Sequence, residues 1–491
     1  MTANEKQVLL SEILKRIETG FCHVLGAGIS NLPLVRWLSS KNARITVYDM
    51  KPAEKIDSFE EIVTLGARVI CGEGYLDSLR LIEEPEKALI FRSPGMRHDL
   101  PEISDAVARG AILTSEMELF LLLTPARVVA ITGSDGKTTT TTLTGKILSA
   151  SVEGKVFVGG NIGKPLLPDV ESMSDKDVAV IELSSFQLQT MKRSADIAAI
   201  TNITPNHLNW HTGMEEYTEA KYNVAMNGEC RRLVINYDNE LSCEAGKRAL
   251  ALEFPPKLVF FSLNADNYCG CIPKYADGYD CEAFFLRGNT VILSDGDSET
   301  EIMKVDEIKI PGRHNIANYM TAIGASLEWI KDMDVVRSLA REFGGVAHRL
   351  EFVREYNGVK FYNSSIDSTP TRTAAALSAL KEKPIVIVGG ADKGVSFEPL
   401  ARSLCDRAKA VVVTGACRDK ILRTFENYDG YDPSKLPIYV CSDFNDAVDR
   451  AKNIAISGDT VLLSPACTSF DAFKNFEERG NTFIKIVNSY K

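Results

Sequence analysis

A glycine loop between a short apolar strand and a helix constrains this chain more than any other feature. The loop lies in the run Ala-Arg-Val-Val-Ala-Ile-Thr-Gly-Ser-Asp-Gly-Lys-Thr-Thr at residues 126–139. Its layout predicts that the backbone N–H groups from Gly133 to Gly136, and those of a helix beginning near Lys137, face a polyphosphate. The spacing Gly-x-x-Gly-Lys-Thr is two residues shorter than the full Walker pattern. An ordinary strand-helix turn is therefore the alternative.

The loop predicts ATP as the ligand. The Lys137 ammonium would meet the β and γ phosphate oxygens, and a hydroxyl of Thr138 or Thr139 would bind Mg²⁺. The predicted ATP contacts of the loop are Gly133, Ser134, Asp135, Gly136, Lys137, Thr138 and Thr139.

The chain has 491 residues, and about 100–200 residues are usual for one domain, so three domains are expected. Its net charge of −10 argues against a nucleic-acid partner. The eleven scattered cysteines and the absence of a signal-like start predict a reducing cytoplasm. The longest apolar runs are far shorter than the roughly 18–20 residues of a membrane span, so no membrane insertion is expected.

Alternating strand and helix patterns predict an α/β fold of three domains. We expect a Rossmann-like N-terminal domain at residues 1–123 and a central P-loop ATPase-type α/β domain at residues 124–347. A second Rossmann-like domain is expected at residues 348–491.

The first domain begins with a strand, a Gly-x-Gly turn at Gly26–Gly28, a helix, and a strand that ends at Asp49. This order is typical of a dinucleotide-binding unit. However, Asn31 stands where that fingerprint has its third glycine, and no second dinucleotide half is evident. A unit that holds another nucleotide, or none, explains residues 1–120 at least as well as a dehydrogenase does.

Two polar groups follow strands of the central domain. Glu182 ends an apolar strand, and His207 follows the next one. Together with Lys137, a carboxylate and an imidazole at adjacent strand ends favour a Mg²⁺ site. A capping or ion-pair role for Glu182, and a surface position for His207 and His211, are the alternatives.

Two further segments of the central domain carry polar groups of interest. Asn315 and Asn318 would share one face of a helix and could bind adenine, although helix capping also explains Asn315. Residues 255–310, with Cys269, Cys271 and Cys281, are interpreted as a surface β insertion with reduced thiols rather than a zinc site.

Three strands of the third domain end in loops of chemical interest, at residues 363–370, 389–394 and 463–473. Lys393, in a glycine turn, is a candidate anchor for a carboxylate. An ordinary loop lysine on an open polar surface is the alternative.

Several motifs resemble one family over essentially the whole chain. They are the phosphate loop, Gly160-Asn-Ile-Gly163, Glu182-Leu-Ser-Ser-Phe-Gln-Leu188, the His207 loop, Gly312-Arg-His-Asn315, His348-Arg349, Ser464-Pro-Ala-Cys-Thr-Ser-Phe-Asp471 and Phe476-Glu-Glu-Arg-Gly480. These stretches are similar to those of the Mur ligases. The motifs that begin at Glu182 and Ser464 most resemble the member of that family that adds D-glutamate.

The resemblance implies an ATP-dependent amide ligase of peptidoglycan precursor synthesis, and thus of cell wall biogenesis, cell shape and cell division. Such an enzyme phosphorylates the carboxylate of UDP-N-acetylmuramoyl-L-alanine, and D-glutamate then attacks the acyl phosphate. The resemblance also implies two Mg²⁺ ions, a carbamylated Lys221 and a monomer with small-molecule partners alone.

By the same resemblance, catalytic roles are expected for Lys137, Asn161, His207 and Lys221. Metal ligands would be Thr138, Glu182, His207 and the Lys221 carbamate, and further ATP contacts Asn315, Asn318 and Arg349. The uridine nucleotide would lie against Gly28, Ile29, Ser30, Asp49, Ser93 and Gly95. D-Glutamate would lie against Ser368, Lys393, Ser469 and Phe476.

The chain departs from the family pattern at three positions. Asn206 stands where an aspartate commonly precedes the histidine, which leaves the orientation of His207 open. Ser364 replaces the acid that binds ribose, and Ile366 replaces a lysine near D-glutamate. Whether Asp367 substitutes for either is an open question at this point.

Two other classes of function remain. A sibling amide ligase, adding another amino acid or acting on folate, would share the central domain but differ in the third. A non-catalytic nucleotide-binding protein would keep the phosphate loop but has no need of Glu182, His207 and Lys221 together.

Overall fold

A computed structural model of the chain describes residues 3–28, 31–208, 210–228, 230–264, 281–392 and 394–491. Its contacts group the chain into two compact units. The first comprises residues 1–305 and 317–337, and the second residues 306–316 and 338–491.

The first sheet of the first unit is entirely parallel, with strand order β3-β2-β1-β4-β5. Its strands are β1 Phe21–Leu25, β2 Arg44–Asp49, β3 Arg68–Cys71, β4 Ala88–Arg92 and β5 Ile112–Thr114. Because parallel strands end at one edge of a sheet, Asp49 and the loop after Arg92 come to the same edge. This is the Rossmann-like arrangement predicted for the N-terminal part.

The second sheet of this unit is mixed, with strand order β14-β13-β12-β11-β10-β9-β6-β8-β7 over the described residues. Its strands are β6 Arg127–Thr132, β7 Val156–Gly160, β8 Val178–Glu182, β9 Ile197–Ile200, β10 Arg232–Asn236, β11 Lys257–Ser262, β12 Cys281–Arg287, β13 Thr290–Ser294 and β14 Glu299–Lys304. Strands β6 to β12 are parallel, while β13 and β14 continue the sheet in antiparallel fashion. Strands β6, β8 and β9 are apolar and buried, as expected for a parallel sheet covered on both faces.

The described part of residues 255–310 forms β strands, as predicted, but its placement in a surface insertion was wrong. Strands β11 to β14 belong to the central sheet, and β11 pairs with β10 and β12 on its two sides. The aromatic side chains of β11 and β12 are buried because they pack as a continuation of the core. Cys281 is a buried free thiol, whereas Cys269 and Cys271 lie outside the described residues.

The second unit contains a sheet with strand order β15-β16-β20-β17-β18-β19. Its strands are β15 Glu351–Tyr356, β16 Val359–Asn363, β17 Ile385–Gly389, β18 Ala410–Thr414, β19 Ile438–Val440 and β20 Thr460–Leu463. Only β15 runs antiparallel. Strands β16, β17 and β20 end where the loops at residues 363–370, 389–394 and 463–473 begin, as predicted.

The helices are α1 Ala3–Thr19, α2 Leu32–Ser40, α3 Phe59–Thr64, α4 Pro101–Ala108, α5 Glu116–Leu123, α6 Lys137–Ser149, α7 Ser185–Leu188, α8 Met214–Tyr222, α9 Glu240–Leu250, α10 Arg313–Ser326, α11 Asp334–Glu342, α12 Pro370–Ala379, α13 Glu398–Arg407, α14 Arg418–Glu426, α15 Phe444–Ile454 and α16 Phe476–Ser489. In the part of the chain that the structure describes, none of them has the length and apolar character needed to cross a bilayer.

The first turn shows why Asn31 replaces a glycine. Its side-chain amide donates hydrogen bonds to the carbonyl oxygens of Leu25 and Gly26, at 3.0 and 2.9 Å. Asn31 is buried, so these bonds satisfy backbone groups that water reaches poorly. The residue therefore has a local structural role in closing the turn.

We expect Asn31→Ala to lower the free energy of unfolding by about 1–3 kcal/mol, because the Gly26 carbonyl loses the amide donor and the Leu25 carbonyl keeps only the Ser93 N–H of its two donors. Urea denaturation measures this change. Asn31→Asp keeps the size but offers no donor, so it should destabilise at least as much. An unchanged midpoint in both variants would contradict this role.

Candidate active site

The phosphate loop joins the buried strand β6 to the first turn of α6, as predicted. Gly133 and Gly136 have φ values of 143° and 80°, which side chains rarely adopt. A Cβ atom at Gly133 would lie 1.9 Å from Thr201 Oγ1, and one at Gly136 would lie 2.4 Å from Asn318 Oδ1. Both positions therefore require glycine for backbone conformation and for space.

Thr201 and Asn202, which follow β9, hold this loop in place through hydrogen bonds. The Asp135 N–H donates to Asn202 Oδ1 at 3.1 Å, and Thr201 Oγ1 donates to the Asp135 carbonyl at 2.6 Å. The Ser134 hydroxyl points inward, bonded to Tyr217 and to the Thr204 carbonyl. The Ser134 N–H also donates to the Asn202 carbonyl at 2.8 Å, so the backbone N–H groups of Ser134 and Asp135 are both held by Asn202. The sequence predictions missed Thr201 and Asn202, which follow a strand but belong to no recognised motif.

Two lysines converge on one carbonyl oxygen of the loop. Lys137 Nζ donates to the Gly133 oxygen at 3.0 Å, and Lys221 Nζ, from α8, donates to the same oxygen at 2.7 Å. Lys137 is partly exposed, whereas Lys221 is 1% exposed and lies 4.6 Å from the ring centroid of Tyr217. Burial, with the nearby Lys137 charge, holds the pKa of Lys221 well below its usual range.

Glu182 and Asn161 form a second polar pair at the same strand edge. Asn161 Nδ2 donates to Glu182 Oε1 at 2.7 Å, and the Asn161 N–H donates to the Glu182 carbonyl at 2.8 Å. Oε2 of Glu182 is buried and has no hydrogen-bond partner among the described residues. A buried carboxylate oxygen without a donor is well suited to a cation.

The chain by itself supplies few conventional metal ligands here. Within the described ranges, no group of three or more His, Cys, Asp and Glu side chains gathers in a way that could hold an ion. A cation at Glu182 would therefore need other oxygen ligands, such as hydroxyl, phosphate or carbamate groups.

His207 and His211 have different environments. His207 is exposed with a φ of 55°, and its ring lies 4.9 Å from that of Phe186. Asn206 Oδ1 accepts the His207 backbone N–H at 2.9 Å, so Asn206 shapes the backbone at this position. His211 is buried, with Nε2 2.9 Å from Ser185 Oγ, which corrects the idea that it is a surface group.

Most of the residues predicted to bind the uridine nucleotide lie at the carboxyl edge of the first sheet. Asp49 Oδ2 accepts the Ala27 N–H at 2.8 Å, which ties the strand-end acid to the glycine turn. Ser93 and Gly95 lie in the loop after β4, and the Gly95 carbonyl accepts a hydrogen bond from Trp210 Nε1 at 3.0 Å. Gly28 is in the turn itself, while Ile29 and Ser30 lie outside the described residues.

Each of the two asparagines predicted to bind adenosine makes a hydrogen bond within the protein. Asn318 Oδ1 accepts a hydrogen bond from Thr140 Oγ1 at 3.3 Å, next to the phosphate loop. Asn315 Nδ2 donates to the Pro311 carbonyl at 2.6 Å, in the second unit. Both side chains are buried at the start of α10.

In the second unit, Asp367 does not present a free carboxylate. It is buried and accepts a hydrogen bond from Ser464 Oγ at 2.8 Å. Burial raises its pKa to about 6, against the opposing effect of hydroxyl groups and of Arg349 and Arg372. Asp367 therefore lies in the core and does not replace an exposed acid at Ser364.

The other residues predicted for this unit lie in the loops around Asp367. Ser469 is buried, Ser368 is partly exposed, and the Phe476 ring centroid lies 5.9 Å from that of His348. Lys393 lies outside the described residues. Arg479, which the sequence predictions missed, is buried and donates to the carbonyls of Ser365, Cys467 and Thr468, so it joins these loops.

Comparison with known proteins identifies the family. Residues 131–326 match the Mur ligase middle domain, and residues 348–467 match the Mur ligase glutamate ligase domain. The chain belongs to the Mur ligase family.

Relatives of this Mur ligase extend over nearly its full length. A protein of Ruminiclostridium cellulolyticum named UDP-N-acetylmuramoylalanine--D-glutamate ligase is 43% identical over 98% of this chain and 99% of that protein. A protein of Clostridium perfringens with the same name is 42% identical, over 95% of this chain and 96% of that protein.

Solved structures share the fold at low sequence identity. A UDP-N-acetylmuramoyl-L-alanyl-D-glutamate--2,6-diaminopimelate ligase has a TM-score of 0.56 at 16% identity, over 91% of this chain and 93% of that one. A UDP-N-acetylmuramate-alanine ligase of Thermotoga maritima has a TM-score of 0.54 at 19% identity, over 96% of this chain and 99% of that one. These likenesses confirm the three-domain α/β architecture.

We expect Gly133→Ala to weaken binding of a non-hydrolysable ATP analogue at least about tenfold, because a Cβ atom would displace Thr201 and strain the loop. Titration calorimetry measures this change. Gly213→Ala is the matched control, since Gly213 has extended backbone and no atom within 4 Å of its Cβ position. Equal affinity in both variants would contradict the assigned loop geometry.

Proposed function

We propose that this Mur ligase uses ATP to join D-glutamate to UDP-N-acetylmuramoyl-L-alanine through an acyl phosphate. Its relatives with more than 40% identity carry the name of that enzyme. The amino acid added, the residue roles, the number of Mg²⁺ ions, the monomeric state and the cytoplasmic location are parts of this proposal.

The convergence of Lys137 and Lys221 on Gly133 carries the proposal. Burial and the neighbouring Lys137 charge disfavour a second ammonium at Lys221, so the site favours anionic groups beside the two lysines. A triphosphate supplies such anions at Lys137. A protein that merely bound a nucleotide would have no need to bury a second lysine beneath the loop.

Carboxylates and amines do not condense in water, so transfer of the γ phosphoryl group provides a leaving group. In this mechanism the chain mainly positions the reactants and neutralises charge. Lys137 and the N–H groups of the loop would bind the phosphates, while Asn315, Asn318 and Arg349 would bind the adenosine side. Asn161 would lie beside the activated carboxylate.

The residues present suit Mg²⁺, because Oε2 of Glu182 is buried and no described residue donates to it. Thr138, Glu182, His207 and a carbamate on Lys221 would hold it. When bound, Mg²⁺ neutralises the phosphate charge and orients the triphosphate.

Lys221 has the properties that carbamylation requires. Only a neutral amine attacks CO₂, and the depressed pKa of Lys221 favours that form. A carbamate would replace the buried positive charge by negative oxygens, which hard cations prefer. Its neighbour Lys137 would then face an opposite charge.

The two substrates would use the first sheet and the sheet of the second unit. Gly28, Ile29, Ser30, Asp49, Ser93 and Gly95 would bind the uridine nucleotide. Ser368, Lys393, Ser469 and Phe476 would bind D-glutamate, with Lys393 meeting a carboxylate.

Phosphate release in the presence of ATP and UDP-N-acetylmuramoyl-L-alanine tests the function. We expect turnover with D-glutamate and little with L-glutamate or meso-diaminopimelate, assayed in parallel. Turnover with another amino acid would indicate a sibling ligase. ATP hydrolysis that ignores the muramoyl substrate would refute the ligase itself.

We expect Lys221→Ala to lose most activity, and small added carboxylates to restore part of it by supplying the missing oxygens. Steady-state kinetics with and without acetate measures the rescue. Lys137→Ala should lose at least about 10²-fold in kcat, because it removes a preorganised donor, and acetate should not restore it. Full activity of Lys221→Ala in CO₂-depleted buffer would exclude the carbamate.

A further inference from the structure

Arg97 lies in the loop that follows β4 of the first sheet, and its guanidinium is saturated with acceptors. Nε and Nη2 donate to the two carboxylate oxygens of Asp99 at 2.8 and 2.7 Å. Nη1 and Nη2 donate to Glu216 at 3.3 and 3.0 Å, and Nη1 also donates to the Trp210 carbonyl at 2.9 Å. All N–H groups of the Arg97 side chain therefore donate hydrogen bonds, and these bonds join two segments of the chain.

Glu216, the partner of Arg97, lies in the first turn of α8. Besides Arg97, its carboxylate accepts the N–H and the hydroxyl of Thr212 at 2.5 and 3.0 Å. Gln189, from the end of α7, donates to it as well. Burial alone would raise the pKa of Glu216, but these hydrogen bonds outweigh burial and lower the pKa to about 2. Glu216 is therefore ionised at neutral pH and holds the backbone before α8, the helix that carries Lys221.

A second contact joins the same two regions. Trp210 Nε1 donates to the Gly95 carbonyl, and the Arg97 guanidinium lies 5.1 Å from the Trp210 ring centroid. The Trp210 and His211 N–H groups donate to the His207 carbonyl, at 3.0 and 3.1 Å. A shift of Trp210 would therefore disturb the hydrogen bond that its N–H donates to the His207 carbonyl.

An exposed ion pair usually contributes at most about 1 kcal/mol to stability. The pair here differs, because the side chains of Arg97 and Glu216 are only 24% and 19% exposed and both also bind backbone groups. Their contacts join two elements more than a hundred residues apart in sequence. We therefore expect the pair to fix the relative position of the Arg97 loop and the start of α8 more than to stabilise the folded protein.

We propose that Arg97 and Glu216 are positioning residues that couple the loop of residues 93–99 to the segment of His207 and Lys221. Binding of a uridine nucleotide at the loop then orders the segment, and an ordered segment favours that binding. The identity of the nucleotide rests on the proposed function, whereas the coupling between loop and segment does not.

Trp210 provides a direct reporter of this coupling. In a Trp37→Phe/Trp329→Phe background it is the remaining tryptophan of the chain. Uridine diphosphate should decrease acrylamide quenching of its fluorescence. In Arg97→Ala and in Glu216→Gln, Trp210 should be quenched more strongly and should no longer respond to uridine diphosphate. The matched control is Arg80→Ala, which breaks the Arg80–Glu102 ion pair of the same sheet domain and should leave the response intact.

Kinetics should separate positioning from general destabilisation. We expect each variant to raise the KM for the uridine nucleotide substrate about tenfold, as for one lost charge-assisted bond, with the KM for D-glutamate unchanged. The double variant should be no worse than either single variant, since both break the same contact. Arg97→Lys should not restore the wild-type KM, because an ammonium lacks the planar fork.

Two results would contradict the coupling. One is Trp210 quenching that does not change with uridine diphosphate when Arg97 and Glu216 are intact. The other is additive effects of the two variants on the KM for the uridine nucleotide substrate. The fluorescence result does not depend on phosphate release. Failure of D-glutamate turnover with an intact Trp210 response would instead refute the proposed function and leave the coupling supported.

Discussion

The carbonyl oxygen of Gly133 is the point on which the site depends. It accepts hydrogen bonds from Lys137 and from Lys221, which come from helices on different sides of the loop. Burial, together with the neighbouring Lys137 charge, lowers the pKa of Lys221. The Lys137 charge attracts anions to the loop. In the proposed mechanism, the nucleotide and the Lys221 carbamate both supply negative charge beside Lys137.

Parallel strands explain why the other groups lie around this point. Glu182, Thr201 and the loop itself follow β8, β9 and β6, which are neighbours in the central sheet. In a parallel sheet these chain ends meet at one edge, where α6 also begins. The apolar strands β6, β8 and β9 are buried and fix the ends of the loop, and glycine at positions 133 and 136 allows its positive φ values.

The contrast between correct and incorrect predictions has a physical cause. Strand β6 and the loop were predictable, because apolar periodicity and glycine chemistry are local properties. Residues 255–310 were misjudged because a short, mixed segment shows no local sign that it will pair with β10. The role of Asp367 and the burial of His211 were left open by the sequence, because their hydrogen-bond partners, Ser464 and Ser185, are distant in the chain.

The sequence by itself determined the α/β class, the phosphate loop, and the identities of Lys137, Glu182 and Lys221 as groups of chemical interest. These follow from spacing and from the resemblance to the Mur ligases. Only the tertiary structure decided that Lys221 lies beneath Gly133, that Asn31 closes a turn, and that Arg97 meets Glu216. The contacts of Lys221 and Arg97 join residues far apart in the chain, and the strength of all three depends on burial and on geometry, which arise only when the strands and helices pack.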